Sequence, residues 1–430
     1  MPTKQMSIES RLQYLGLQRP HYLALSRKQK GQLLDEMERI TGLCRKALIR
    51  RMRPSDPLKR RKRRRQRSKT YGSPAVMAVL SVIAEAHDYI GAGRLWPQLL
   101  SMAQHLEKHG ELHLTPGVVR ELSTMSLSTL KRLLSRVRQD ECHVLRRNAP
   151  QAAPWKRGVP MRRIPWDIQE PGHFEVDLVH HGGPSASGDY VHSIMMVDVA
   201  TGWVEPTAAL GRSYLAISHG FRHIKERVPF CVRELHPDNG VEFFNDHMAR
   251  FWPELFPGVD LSRSRPYHKD DNRFVEQKNG RLVRAYLGYD RLDTVRQTLA
   301  LDELYNLLWL YTNFFQPVMR LCGKRVVTAD DGSQKLICEY DRARTPLQRL
   351  AESGVLPSEQ QCELEDLRLR TNPRRLRQQI HAGIRALFAM PNATPGVSED
   401  VPSTVVPIRN PRKEEGIPVT LSSELPTAIR

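Results

Sequence analysis

The chain has 430 residues, enough for several domains, and carries 66 Lys and Arg against 47 Asp and Glu, a formal net charge of +19. A charge of that size argues for a polyanionic partner such as nucleic acid or an anionic surface, and says nothing about fold. No run of about 18 apolar residues occurs, so no spanning helix and no membrane partner are expected. The first residues lack the apolar stretch of a secretory leader, which favours a cytoplasmic, nucleoid-associated protein. Six cysteines (Cys44, Cys142, Cys231, Cys322, Cys338 and Cys362) stand apart without a C-x-x-C pair. That pattern suits reduced thiols better than a disulfide framework or a zinc ribbon.

The charge is local. Residues 1–70 hold 21 Lys and Arg against 5 Asp and Glu, leaving the other 360 residues almost balanced. Within residues 1–55, Ser26 can cap a helix with Leu33, Leu34, Met37 and Ile40 at helical spacing. Thr41-Gly42 then breaks it, and a second helix from about Cys44 to Met52 turns Leu48 and Ile49 inward and Arg45, Lys46, Arg50 and Arg51 outward. This is the outline of a helix-turn-helix whose second helix enters a major groove. Residues 56–73 form a basic arm, densest from Lys59 through Arg60, Arg61, Lys62, Arg63, Arg64 and Arg65 to Lys69. Such a block repels itself and is expected to order on a phosphate backbone.

Residues 74–140 read as a second helical DNA-binding module. Pro74 opens a helix through Ala86, Trp96 to Lys108 continues the apolar period, and Thr115-Pro116 has the chemistry of a helix start. Leu127 to Arg138 follows, with Leu130, Leu133, Leu134 and Val137 on one face and Lys131 and Arg132 off it. Residues 141–171 are a Pro-rich linker.

Over 172–295 the texture changes to α/β. His173–His180 alternates as a strand does, Ile194–Val204 is a second strand and Glu205–Leu210 a third. A helix over Tyr214–Arg227, a strand over Cys231–Leu235, a helix over 243–255, a strand over Val259–Ser264 and a long helix over Arg273–Tyr286 complete a mixed sheet, antiparallel on one side and parallel on the other. Residues 296–389 form an α+β extension. Leu301–Leu321 is an apolar helix interrupted by Pro317, Lys324–Tyr340 a hairpin, and Thr345–Leu387 helical with a basic surface of Arg368, Arg370, Arg374, Arg375 and Arg377. Residues 390–430, with seven prolines, are expected to be a disordered tail.

Three carboxylates occupy informative places on that frame. Asp177 lies mid-strand in F-E-V-D-L-V, Asp238 follows the fourth strand in H-P-D-N-G, and Glu276 sits in the first turn of the last helix in D-D-N-R-F-V-E-Q-K-N-G. Hard oxygen ligands gathered at one sheet edge suit Mg²⁺ or Mn²⁺ rather than zinc. Two such ions are what an in-line phosphodiester displacement needs.

F-E-V-D-L, H-P-D-N-G-V-E-F and R-P-Y-H-K-D-D-N-R-F-V-E-Q-K-N-G together resemble the core of the DDE transposases of bacterial insertion sequences, over about residues 170–290. Those enzymes share the RNase H-like fold with retroviral integrases. The resemblance implies that Asp177, Asp238 and Glu276 are catalytic metal ligands for two Mg²⁺ (or Mn²⁺), cutting the ends of an element and joining the 3′-OH to target DNA. It also implies a homo-oligomer on double-stranded DNA, with an accessory ATPase as a further candidate partner. The family pattern makes Asp198 a structural residue at a strand end, and Glu175 shares the sheet face of Asp177. Asp270 and Asp271 can cap the last helix. Asn239, His268 and Asn272 are candidate hydrogen-bonding neighbours of the metals, while His180, His181 and His236 are assigned to structure. Where retroviral integrases place a Lys one turn after the Glu, Gly280 stands here, so Lys278, Arg281 and Arg284 are the candidate phosphate contacts. Two alternatives stay open: an RNase H-like nuclease without strand transfer, and a DNA-binding regulator with an inert core.

Overall fold

The computed structural model describes residues 6–55, 58, 71–137, 164–165, 167–184, 187–238, 243, 246–265, 269–328, 334–407 and 410–412. The chain forms two compact units, Met1–Lys69 and Thr70–Arg430. Among the described residues no helix is long and apolar enough to cross a membrane.

In the first unit, helix α1 (Ile8–Ala24) precedes the two expected from sequence, opening where the Ser7 side chain accepts the Ser10 N–H. Helix α2 (Arg27–Thr41) ends at Gly42, whose positive φ of 66° lets its N–H reach the Glu38 carbonyl. Helix α3 (Arg45–Arg51) follows, and Leu15, Leu33, Leu34, Met37, Leu48 and Met52 close a small core. Ile40 and Ile49, expected inside, are each 42% exposed. In two turns of helix the inward stripe is Leu48 and Met52, four apart, and Ile49 falls one step round from it. In α2, Thr41 takes the buried place and Ile40 is left outside.

The second unit begins with a bundle of α4 (Pro74–Ala86), α5 (Ala92–Leu95), α6 (Leu99–Lys108), α7 (Pro116–Thr124) and α8 (Leu127–Leu134) around Val76, Leu80, Ile83, Leu106, Leu122 and Leu130. Ser73, Thr115 and Ser126 each accept the backbone N–H three residues on, so three of these helices start at the capping residues the sequence offers. The bundle belongs to the same unit as the sheet domain that follows.

The sheet runs β3–β2–β1–β4–β5, built from β1 (His173–His180), β2 (Val191–Asp198), β3 (Val204–Leu210), β4 (Glu234–Pro237) and β5 (Asp260–Leu261). The first three strands pair antiparallel, and β4 and β5 join on the far side of β1 in parallel, as the sequence suggests. The strand expected over Ile194–Val204 divides in two because the Asp198 carboxylate accepts N–H bonds from Gly172 and Thr201 (2.8 and 2.7 Å) and turns the chain.

Helices α9 (Tyr214–Arg227) and α10 (Asp246–Leu255) cover one face, packing Phe221 and Trp252 on Phe174, Val176 and Leu178. Gly220 lets α9 approach, since a Cβ there would stand 2.5 Å from Ile194 Cδ1. The other face carries α11 (Arg273–Lys278), a π-helical segment Asn279–Arg284, α12 (Ala285–Leu287) and α13 (Val295–Phe315). Fully buried Glu205 accepts from Trp203 Nε1 (2.7 Å), Trp309 Nε1 (2.9 Å) and Arg227 Nε (2.6 Å), so a carboxylate that would be costly alone is saturated with donors. Pro317 lies beyond the end of α13 and does not interrupt it.

A hairpin of β6 (Leu321–Thr328) and β7 (Gln334–Tyr340) precedes α14 (Pro346–Ser353), α15 (Ser358–Arg370) and α16 (Pro373–Ala389). Of the basic surface expected over Arg368, Arg370, Arg374, Arg375 and Arg377, Arg370 and Arg375 are exposed, whereas two members are consumed inside the fold. Arg374 pairs with Glu85 and Glu111 (both 2.9 Å), and Arg377, only 4% exposed, pairs with Asp88 (3.0 Å).

The described part of the expected disordered tail is strapped to the core. Glu399 accepts the Val295 N–H (2.8 Å), Val401 packs against both core clusters, His219 donates to the Val406 carbonyl (3.0 Å) and Asn410 donates to Glu226 O. These contacts use single residues of a proline-bearing segment whose one regular element is a short 3-10 turn at Val401–Thr404, which leaves no periodic trace in the sequence. Residues 413–430 lie outside the described residues.

Candidate active site

The site is built on β1. Its residues alternate, with Phe174, Val176 and Leu178 toward α9 and α10, and Glu175, Asp177 and Val179 toward α11 and α13. The parallel ladder with β4 ends at Val176 opposite Pro237. Asp177 and Asp238 are the next residue along each chain, on strands that run about 4.8 Å apart.

Helix α11 is tied to the same face at two points. The buried Glu175 carboxylate accepts the N–H groups of Phe274 (2.7 Å) and Val275 (2.9 Å), satisfying donors that a helix start leaves open and that the Asn272 side chain does not cap. Burial pushes the Glu175 carboxyl up to about 8, against the two N–H bonds, with Glu276 adding to the rise. Further along the helix, Asn279 Nδ2 donates to Asp177 Oδ2 at 2.6 Å. Glu276 is exposed and three residues before Asn279, so both lie on neighbouring helical positions. Asp177 Oδ1 meanwhile accepts the N–H of Leu178 (2.9 Å).

The three carboxylates thus sit on adjoining elements, yet among the described residues no group of three or more His, Cys, Asp or Glu side chains is gathered as one metal ion requires. The donor chemistry nonetheless fits a hard divalent cation. All three are carboxylates, and the Oδ1 atoms of Asn279 and Asn272 are buried without a hydrogen-bond partner among the described residues. Asn279 is the site residue that the sequence motifs do not single out; its spacing of three from Glu276 is the signal available.

The neighbouring groups have structural partners. Asp198 is fully buried, held by Gly172 and Thr201, with burial raising its carboxyl. Asp271 does not cap α11 but grips the Arg265 backbone and guanidinium (3.0, 2.9 and 2.8 Å). His236 bonds Ser262 Oγ (2.7 Å), and His181 bonds Ser193 Oγ (2.7 Å). Asn239 and His268 lie outside the described residues.

No protein-family model matches the chain. The protein described as "Uncharacterized protein y4rM", from Sinorhizobium fredii (strain NBRC 101917 / NGR234), is 34% identical over 330 residues, spanning 76% of this chain and 92% of its own. The chain belongs to the same family as y4rM. Among solved structures, the catalytic core domain of BIV integrase is similar over 34% of this chain and 85% of its own, at 16% identity and a TM-score of 0.24.

In this member of the y4rM family the cations expected to hold DNA divide by environment. Arg45 is committed to its own unit, paired with Asp35 and donating to the Gly31 carbonyl (3.2 Å), whereas Lys46 and Arg50 are exposed and Arg51 half-buried. Lys131 and Arg132 are exposed. Arg284 is also committed, donating to His180 O (2.9 Å) and Gly288 O (3.0 Å) and stacking on Tyr289. Lys278 has no hydrogen bond or ion pair among the described residues, and Arg281 is exposed. Lys59 to Arg65 lie outside the described residues.

Proposed function

We propose that the chain is a metal-dependent polynucleotidyl transferase of the DDE transposase type, which cuts at the ends of a DNA element and joins the 3′-OH to target DNA. The observation that carries this reading is the convergence of β1, β4 and α11. The strand register sets Asp238 beside Asp177, and Asn279 fastens the helix bearing Glu276 to the Asp177 carboxylate. Two Mg²⁺ or Mn²⁺ held by Asp177, Asp238 and Glu276 would supply activation of the attacking oxygen and stabilisation of the leaving one. The protein's own part is positional. Glu175 fixes the start of α11, Asn279 orients Asp177, and the exposed Glu276 faces solvent from which a strand can enter. Binding of the element ends falls to the first unit and its basic arm, and pairing of two ends calls for at least two copies of the chain. An accessory ATPase would act in choosing the target.

Purified full-length Asp238→Asn and Glu276→Gln variants are expected to lose Mg²⁺-dependent cleavage and joining while keeping the wild-type melting transition. Joining activity in either variant would sink the reading. A nuclease without strand transfer is separated by offering pre-cut 3′-OH ends. The second reading is a regulator with an inert core, favoured by the engagement of both Asp177 oxygens inside the protein, by Leu178 and Asn279. For that reading the wild-type protein shows no divalent-dependent cleavage at all.

A further inference from the structure

Buried and half-buried cations in this fold are mostly paired: Arg227 with Glu205, Arg349 with Asp341, Arg374 with Glu85 and Glu111, Arg377 with Asp88. A second group differs. Half-buried Arg94, Arg273, Lys278 and Arg320, together with exposed Arg281, have no ion pair among the described residues, although they come from three separate segments of the chain.

They converge around α11. The guanidinium carbons of Arg273 and Arg320 each stand 4.7 Å from the Phe274 ring, and Lys278 lies one turn on from Phe274. Arg94 donates to the Pro317 carbonyl (3.4 Å), beside the segment that leads to Arg320, and Arg281 is an electrostatic neighbour of both Arg94 and Lys278. Arg320, Arg94 and Arg281 are the charged groups that face the Lys278 ammonium. Arg320 Nε and Arg273 Nη2 are buried donors with no acceptor among the described residues.

The carboxylates that face Arg320 are already engaged. Asp198 holds Gly172 and Thr201, Glu175 holds the α11 N–H groups, and Asp341 holds Arg344 and Arg349. Like charges held together without counter-charge destabilise the fold unless an anion joins them. Five cations exceed what one small anion needs, whereas a nucleic-acid strand brings its phosphates in series.

We propose that Arg94, Arg273, Lys278, Arg281 and Arg320 form a binding surface for the phosphodiester backbone of nucleic acid, assembled jointly by α5, α11 with its π segment, and the chain following α13. It rests on the proposed nucleic-acid chemistry for its partner but not on the metal site. The α4–α8 bundle therefore contributes to the surface through Arg94, on the helix-bearing face beside Glu276.

The test is equilibrium binding of a short duplex DNA to the full chain in EDTA, over a range of salt concentrations. Lys278→Gln/Arg281→Gln is expected to keep the wild-type melting transition and to flatten the slope of log affinity against log salt by about 0.9 for each phosphate that is no longer neutralised. Lys278→Arg should restore its share. Arg94→Gln, far from these two in sequence, should lower the slope likewise. Unchanged slopes in folded variants overturn the proposal even if Glu276→Gln abolishes cleavage. Lowered slopes uphold it even if no variant or wild-type protein cleaves. Competition by millimolar inorganic phosphate with no change of slope identifies a small-anion site and also overturns it.

Discussion

Asn279 and Glu175 do the fastening on which the candidate site depends, and neither is one of its three proposed ligands. Asn279→Ala removes the donor to Asp177 Oδ2, while the Leu178 N–H stays on the other oxygen, and so loosens the orientation of that carboxylate. Loss of such an orienting bond typically costs about 10–100-fold in metal affinity or activity. Cleavage measured against Mg²⁺ concentration should therefore shift to higher metal, and a superimposable titration would remove Asn279 from the site. Glu175→Ala is a different experiment, because it strands two buried N–H groups at about 1–3 kcal/mol each. Glu175→Gln keeps one acceptor oxygen and should recover most of that loss in a thermal melt; equal melting of the two variants would show that the N–H bonds are idle. In the sequence Glu175 is visible only as a neighbour of Asp177 on one sheet face. Its capping role joins residues about 100 apart, and no local pattern carries such a contact.

At the scale of elements, helices and strands with strong periodicity are legible in the sequence: α9 spans Tyr214–Arg227 and β1 spans His173–His180, as alternation and helical spacing dictate. Helix α1 is not, because Leu15 is its one fully buried residue and it shows no apolar stripe. The π segment at Asn279–Arg284 is also invisible, since a sequence with helical spacing does not reveal one inserted residue per turn. That insertion rotates everything after Lys278, which separates exposed Arg281 from Arg284, turned in toward His180.

The docking of the α4–α8 bundle follows from complementary charges far apart in the chain. Asp88 lies in a left-handed turn (φ 52°) and accepts from both Tyr286 (2.7 Å) and Arg377 (3.0 Å). Asp88→Ala leaves the Arg377 guanidinium buried without its partner, a change worth about 3–5 kcal/mol. Chemical denaturation should show the loss, and a variant within about 1 kcal/mol of wild type would mean that the pair is not what docks the bundle.

For the whole molecule, acid is the expected weakness. Burial lowers His87 and His105 to about 4 and His181 and His192 to about 3, so the fold holds these rings neutral. Their stabilising share is complete above the unfolded value of about 6.5 and is lost as pH falls from there toward about 4 and 3. Each contributes a slope of up to about 1.4 kcal/mol per pH unit in that window. Denaturation midpoints should fall steeply between about pH 6.5 and 4, and a flat profile would contradict the burial of these rings.

Val401 touches both hydrophobic clusters that flank the sheet. Synthesis runs from the N-terminus at about 5–20 residues per second. Neither layer is sealed, therefore, until Val401 has left the ribosome, long after the last strand of the sheet, Asp260–Leu261, has done so.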